Sequence, residues 1–423
     1  MVTELDVIRD VLPTVGRDFG TPCYVYVMDL VRTQVAHVRS AFGNRFRIRY
    51  AVKSNPNLTL LRRLKGVVDS VDVSSGGEVT RALEAGWDAL QIGFTGPGKS
   101  EPELLQSIDI GLGEVVVESV EEAELLNRLA ARRDRRQRVV VRIAPSRMPR
   151  GFGVSMSGKP TQFGIDEEDI DAALHAITGL QHLSVCGLHI YSGTQCLNPE
   201  AIVENFRIFI ELFRRLCQTH DLQPQILIFG SGIGIPYYES DAPVDLDAVA
   251  GAINPDLDAL RSAPRFASAE LALETGRYLV GEAGFYLTRV LRMKHSRGTD
   301  ICICDGGMNH HLGAAGHLGS VLQRNYRMFK LMGNNSGDAQ QPYNLVGPLC
   351  TTIDTLARQV SLPRLEPGDV IVIRSSGAYG LTASPIHFIG HAPPKEIIVE
   401  TVDGHLTVED VSQIQPDRTG RQP

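Results

Sequence analysis

From about residue 46 to residue 274 the chain alternates short β-branched runs with longer stretches whose apolar residues recur at helical spacing. Eight such runs occur: Ile48 to Lys53, Val68 to Ser74, Ala89 to Phe94, Glu114 to Glu118, Val139 to Ala144, Val185 to Tyr191, Gln225 to Phe229 and Leu271 to Glu274. A strand that is followed by a helix and then by another strand favours parallel pairing, because the crossover returns the chain to the end where it began. Eight sequential βα units predict a closed (β/α)8 TIM barrel rather than an open doubly wound sheet, with the barrel expected over residues 37–283.

Residues just past the strand ends of such a barrel converge on one mouth. In order they are Lys53, Asp72 with Ser75 and Glu78, Gly96-Pro97-Gly98-Lys99, Glu118, Arg142, His189 with Ser192, Gly230-Ser231-Gly232-Ile233-Gly234, and Glu274 with Arg277. A purely structural barrel has no need of that collection at one rim. Lys53 closes a run containing Phe46, Ile48, Tyr50, Ala51 and Val52, and is followed by the turn Ser54-Asn55-Pro56-Asn57 and an amphipathic stretch, Leu58 to Leu64. A half-buried amine in that place is ready to form a Schiff base with an aldehyde if its pKa falls below the free value of about 10.4. A solvated lysine ending a strand has the same local sequence, so the surrounding residues must decide.

After about residue 284 the pattern changes to strands and turns, at Phe285 to Val290, Asp300 to Cys304, Val370 to Ile373 and Lys395 to Val402. A strand also precedes the barrel, Cys23 to Val27, ahead of a helix from Leu30 to Ala41. A second, β domain is therefore expected from both ends of the chain, residues 1–36 and 284–423, with Met332 to Asp338 as a loop.

The net charge of -7 without a basic cluster of binding size argues against nucleic acid as the main partner. The densest basic run, Arg132 to Arg138, reads as a solvated helix end, with an acidic partner surface as the alternative. Seven scattered cysteines without a C-x-x-C pair argue against a disulfide framework and fit a reducing cytoplasm. No apolar segment approaches the length of a membrane span, and the acidic start lacks an apolar core, so no membrane association or export is expected.

The glycine cluster Gly230 to Gly234 follows an apolar strand, where its backbone N–H groups would form a nest for a phosphate. A dinucleotide site would want its glycines opening a helix in an early βαβ unit, whereas Pro236 follows closely here and the unit is the seventh. At this point the chain resembles the fold-type III pyridoxal-phosphate decarboxylases, the family of diaminopimelate and ornithine decarboxylases. The resemblance is carried by Tyr50-Ala51-Val52-Lys53, Val71 to Glu78, Gly187 to Gly193, Glu274-Thr275-Gly276-Arg277-Tyr278, Gly347-Pro348-Leu349-Cys350 and Gly377-Ala378-Tyr379, six blocks in the family's order.

The resemblance implies a TIM barrel with a β-sandwich or β-barrel-like C-terminal domain, pyridoxal 5'-phosphate as cofactor, and a role for each matching residue. Lys53 would hold the cofactor covalently, and Glu274 would face the pyridine nitrogen, where a carboxylate at about 4 Å is worth about 4 kcal/mol at an effective dielectric of about 20. His189 would stack on the ring. Ser192, Gly232, Gly276, Arg277 and Tyr379 would surround the phosphate. Asp72, Glu78 and Arg142 would form a charged network around Lys53. Cys350 would return a proton to the α-carbon, reaching the site from the neighbouring subunit of a homodimer with shared active sites.

One departure bears on substrate. In diaminopimelate decarboxylases a glutamate that grips the distal ammonium follows the cysteine, and Thr351 stands there instead. Cys304 to His311, Arg324-Asn325-Tyr326 and Gly377 to Pro385 resemble a narrower group, the carrier-protein-tethered aminoacyl decarboxylases of natural-product pathways such as butirosin biosynthesis. Residues expected to bind substrate are Arg277, Arg324, Tyr326, Thr351 and Tyr379. The expected activity is α-decarboxylation of a glutamyl, aspartyl or methylaspartyl group on an acyl carrier protein. The alternatives are a free diaminopimelate or related diamino acid decarboxylase, and, in another class, a catalytically silent pyridoxal-phosphate-binding regulator. Racemases of related fold place an arginine at the ring nitrogen, so Glu274 favours decarboxylation, and Cys350 favours an active enzyme. His310-His311 has no third ligand at suitable spacing, and no metal is expected.

Overall fold

The computed structural model describes residues 3–317, 324–331 and 339–413. The stretch Met332 to Asp338, expected as a loop, lies outside them. The chain divides into two units, one of residues 35–234 and 243–276, the other of residues 1–34, 235–242 and 277–423.

The first unit is a closed barrel of eight parallel strands: Arg47–Ala51, Ser70–Val73, Ile92–Phe94, Glu114–Val117, Gln137–Ala144, Leu183–Ile190, Ile226–Gly230 and Glu270–Thr275. Each pairs in parallel with the next, and Glu270–Thr275 closes the ring by pairing with Arg47–Ala51. All eight expected runs are strands, but Ala89–Gln91 forms a 3-10 turn because Asp88 and Gln91 cap one another, leaving Ile92–Phe94 to pair. The period of two along each strand decides what fills the barrel. Val116, Val140, Cys186, Ile226, Ile228 and Ala272 form an apolar cluster inside it. Two residues before Val116 and on the same face, Glu114 meets buried Arg49 at 2.5 Å toward the N-terminal end. Two residues after Val140 and Ala272, Arg142 and Glu274 fall at the other end, the mouth.

Several polar residues of the rim serve the helices rather than the mouth. Ser75, Asn57 and Ser119 each accept N–H groups of the helix they precede, and Ser100 and Glu103 cap each other at the start of the helix Glu101–Ile110. Lys99 is buried against Glu122 at 2.7 Å. The basic run joins the end of the helix Val120–Arg132 to the start of the strand Gln137–Ala144, so it lies at the end of the barrel away from Lys53. There Arg133 pairs with Asp109 at 2.7 Å and Arg138 donates to Gln225 at 2.7 Å.

The second unit is built on a nine-stranded mixed sheet. Cys23–Val27 lies within it, antiparallel to Gly284–Ser296 and parallel to Lys395–Val402. Its core gathers Val7, Val11, Leu12 and Val15 from the N-terminal helical segment with Val25, Phe285, Leu287, Val372, Ile397 and Val399 from the sheet. Four strands not expected from sequence, Met328–Leu331, Gln341–Val346, Thr355–Leu362 and His405–Asp410, complete it.

The division also differs from the expected boundaries at 37 and 284. Residues 235–242 belong with the β unit because Arg327 donates to the carbonyls of Tyr238 and Asp241, and the Ser375 hydroxyl donates to that of Pro236. The helix Arg277–Val280 goes the same way.

Candidate active site

In the barrel unit, four of the expected residues meet at the C-terminal ends of the strands. Lys53 sits in the 3-10 turn Val52–Ser54 that directly follows the first barrel strand. Its Nζ lies 3.5 Å from Asp72 Oδ2 and 3.4 Å from Glu274 Oε1, and its side chain is 37% exposed while both carboxylates are buried. An accessible amine is thus held by two inaccessible carboxylates. Asp72 is placed by strand register, opposite Ala51, and its Oδ1 accepts the Thr95 hydroxyl at 2.5 Å. His189 Nε2 lies 3.2 Å from Glu274 Oε2.

Burial and the Glu274 carboxylate push Asp72 up to about 7, against Lys53, Thr95 and Arg49. Burial would raise Glu274 too, but Lys53, His189 and Arg142 outweigh it and hold its carboxyl far below the usual carboxylate range. One of the two carboxylates is therefore firmly charged and the other titrates near neutrality. Burial lowers His189 despite the nearby Glu274, so its imidazole is neutral at pH 7 and presents an uncharged ring.

The network expected around Lys53 is only partly formed. Arg142 is directed to Glu118, with Nη1 3.0 Å from both carboxylate oxygens, and its guanidinium lies over Phe163 at 4.8 Å. Its charge still bears on Glu274 and His189. Glu118 is itself fixed by the N–H groups of Gly96 and Gly164, which explains why it holds Arg142 so firmly. Glu78 accepts the N–H of Ser74 at 2.8 Å.

The glycine run makes a close-packed turn. Gly232 has φ +62°, and a β-carbon there would come within 2.5 Å of the Gly193 carbonyl and 2.6 Å of Phe152, so only glycine fits. Its carbonyl accepts the Cys196 N–H, which ties the run to the segment after Ser192. Gly276 is closely approached by Ser54 and Ala51.

In the β unit, Arg277 donates from Nη1 to the Tyr237 hydroxyl at 2.5 Å and lies 4.6 Å over the Tyr379 ring. Tyr326 lies against Tyr237 with ring centroids 4.7 Å apart and the planes inclined by 39°. Arg324 is stacked on Tyr238 at 3.7 Å and stands 3.6 Å from Asp241. Tyr237 and Thr95 were missed by the sequence reading. The sequence signal for Tyr237 was its place three residues beyond the glycine run.

Cys350 occupies a turn, Leu349 to Thr351, and is exposed, whereas the other six cysteines are buried and all seven are free. His310 and His311 are buried. Tyr286 lies 3.4 Å from His310, and His311 bonds to Ser376. Among the described residues no group of three or more His, Cys, Asp or Glu is arranged to hold a metal.

Several polar atoms at these positions are buried and have no hydrogen-bond partner among the described residues: His189 Nδ1 and Ser192 Oγ in the barrel unit, and Arg277 Nε in the β unit. Buried polar atoms left this way call for a ligand of their own. In the barrel unit a cationic heterocycle would pair with the charged Glu274 carboxylate and a phosphate would satisfy Ser192, while in the β unit Arg277 Nε offers a donor to an anion. The residues therefore fit pyridoxal phosphate.

The sequence pattern of the family described as pyridoxal-dependent decarboxylase, pyridoxal binding domain, matches residues 28–281. The chain belongs to this family. It is 34% identical over 382 residues to the L-glutamyl-(BtrI acyl-carrier protein) decarboxylase of Niallia circulans, covering 90% of this chain and 89% of the relative. It is 31% identical to the diaminopimelate decarboxylase of Neisseria meningitidis serogroup A over 375 residues, 87% of each chain. The crystal structure of Helicobacter pylori diaminopimelate decarboxylase complexed with L-lysine superposes with a TM-score of 0.83 at 26% identity, covering 96% of both chains. This decarboxylase is a pyridoxal-phosphate-dependent carboxy-lyase. Among its described residues no helix is long and apolar enough to cross a membrane.

Proposed function

We propose that this decarboxylase removes the α-carboxylate of an acidic aminoacyl group, glutamyl, aspartyl or methylaspartyl, joined through its side chain to an acyl carrier protein in natural-product biosynthesis. The observation that carries the reading is Thr351, a neutral residue where diaminopimelate decarboxylases have the glutamate that grips a distal ammonium. A tethered substrate keeps its α-amine and α-carboxylate but ends in a neutral thioester, which such a pocket suits. The similarity to the Niallia circulans decarboxylase supports it.

Pyridoxal phosphate, when bound, supplies the ring that accepts the electron pair left as carbon dioxide departs. Lys53 would hold the cofactor covalently through its aldehyde group and release it to substrate. Asp72, titrating near neutrality 3.5 Å from Nζ, takes up and returns the lysine proton. Glu274 would keep the pyridine nitrogen protonated, and neutral His189 would lie against the ring. Ser192, Gly232, Gly276, Arg277 and Tyr379 would hold the phosphate. Cys350 delivers a proton to the α-carbon in the partner subunit's site, so the working unit is a homodimer. Support for that last point is the exposure of Cys350 and, three residues on, of Ile353. Seven free cysteines support a cytoplasmic location.

The test is intact-mass spectrometry of carrier proteins loaded with aspartyl, methylaspartyl or glutamyl groups, with free diaminopimelate as comparator. Loss of one carboxyl from a loaded carrier is expected. Release of carbon dioxide from the free diamino acid alone refutes the proposal in favour of the second reading, which the similarity to the Neisseria and Helicobacter decarboxylases supports.

A further inference from the structure

Two motifs that the sequence presents separately, Asp305-Gly306-Gly307-Met308 and Gly347-Pro348-Leu349-Cys350, are joined in the β unit by one carboxylate. Asp354 is 2% exposed. Its Oδ1 accepts the Met308 N–H at 2.7 Å and its Oδ2 accepts the Leu349 N–H at 2.8 Å. Its main-chain carbonyl accepts the Gly347 N–H at 3.1 Å, and its own N–H reaches the Thr351 carbonyl at 3.4 Å. A β-carbon at Gly307 would lie 2.2 Å from the Asp354 carboxylate, and one at Gly347 would lie 2.3 Å from it. Glycine at both positions is what lets the carboxylate reach both amides. Cys350 follows Leu349 directly, so the turn that presents the thiol is pinned on both sides, by Leu349 before it and by Thr351 and Asp354 after it.

We propose that Asp354 is the positioning residue for Cys350. The inference rests on the reading of Cys350 as the proton donor. A carboxylate that accepts two backbone N–H groups makes short, directional, charge-assisted bonds. An asparagine of the same shape keeps one acceptor oxygen but turns an NH2 group toward the second amide, donor against donor. The turn is then released on one side. The thiol keeps its chemistry and loses its aim.

The experiment uses holoenzyme carrying Asp354→Asn, Cys350→Ser or both. Amide hydrogen exchange at segments containing Met308 and Leu349 is expected to quicken roughly tenfold or more in the Asp354→Asn protein, with barrel segments unchanged. Turnover should fall about tenfold with KM and cofactor affinity nearly unchanged, and more product should leave as aldehyde. That aldehyde forms when the proton goes to the cofactor instead of the α-carbon, so that hydrolysis releases the aldehyde and leaves the amino group on the cofactor. In the Cys350→Ser background Asp354→Asn should add nothing, because two residues acting through one step are not additive. Unchanged exchange at both amides, or a full additional loss in the double variant, overturns the inference. Parental turnover by Cys350→Ser instead overturns the proton-donor reading, and the exchange result still judges the pin separately. If Asp354→Asn does not fold, Asp354→Glu, which keeps the charge but overshoots both amides, is read by the same measurements.

Discussion

Arg277 Nη1 lies 2.5 Å from the Tyr237 hydroxyl oxygen, while the Tyr379 ring covers the guanidinium at 4.6 Å. Its buried Nε has no hydrogen-bond partner among the described residues and remains a donor for a ligand. If that ligand is the cofactor phosphate, Tyr237→Phe should weaken binding of pyridoxal phosphate by roughly tenfold, the value of one hydrogen bond to a charged group. Binding of pyridoxal, which has no phosphate, should not change. Equilibrium titration with both compounds checks this, and equal losses for the two would remove the phosphate assignment.

Lys53 is the accessible amine between two buried carboxylates. Lys53→Ala should abolish the visible absorption of lysine-bound cofactor and bring turnover below detection, because the covalent step has no other nucleophile. An unchanged absorption spectrum in the variant protein is the result that contradicts it.

Replacing Glu274 by Gln removes the charge but keeps the shape. A unit charge at about 4 Å and an effective dielectric of about 20 is worth about 4 kcal/mol, so kcat/KM should fall by roughly a thousandfold. Steady-state kinetics with saturating cofactor measures it, and a loss of less than about tenfold would mean that Glu274 does not set the protonation of the ring.

Asp72, pushed up to about 7 by burial and by Glu274, keeps its proton in the folded chain over a range where the unfolded chain has lost it above about pH 4. Its favourable contribution is therefore complete below about pH 4 and is lost as the pH rises through about 7. Cofactor-free Asp72→Asn protein should accordingly gain melting temperature relative to the parent as the pH is raised from about 5 to about 8. Paired melting curves would show it, and a gap that does not change with pH would mean that Asp72 is ionised throughout.

Thr351→Glu should restore a partner for a distal ammonium. The expected shift in relative kcat/KM toward free diamino acids is about ten- to a hundredfold. Competition between free and tethered substrates reads it, and no shift would place residue 351 away from the far end of the substrate.

The barrel was legible because its strands are short β-branched runs flanked by turn residues, and the same pattern gives strand ends, where Lys53, Asp72, His189 and Glu274 meet. The sequence places Arg142 on the right face but cannot say which carboxylate it chooses. Glu118, itself fixed by two backbone N–H groups, wins it from the surroundings of Lys53. In the β unit, Gln341–Val346 and Thr355–Leu362 escaped notice because Pro342 and two register shifts interrupt the alternation that marks a strand. Tyr237 escaped for another reason: its place three residues beyond the glycine run is a weak local signal, and its partner Arg277 is 40 residues further on.

The strand before Lys53 and the strand bearing Glu274 are neighbours in the ring although the two residues are 221 positions apart. The first and last staves of the cask must therefore touch before amine and acid can face each other. A chain emerging from the ribosome cannot capture its vitamin-derived partner until nearly two thirds of it has been made, and any fragment ending short of that last stave should remain colourless.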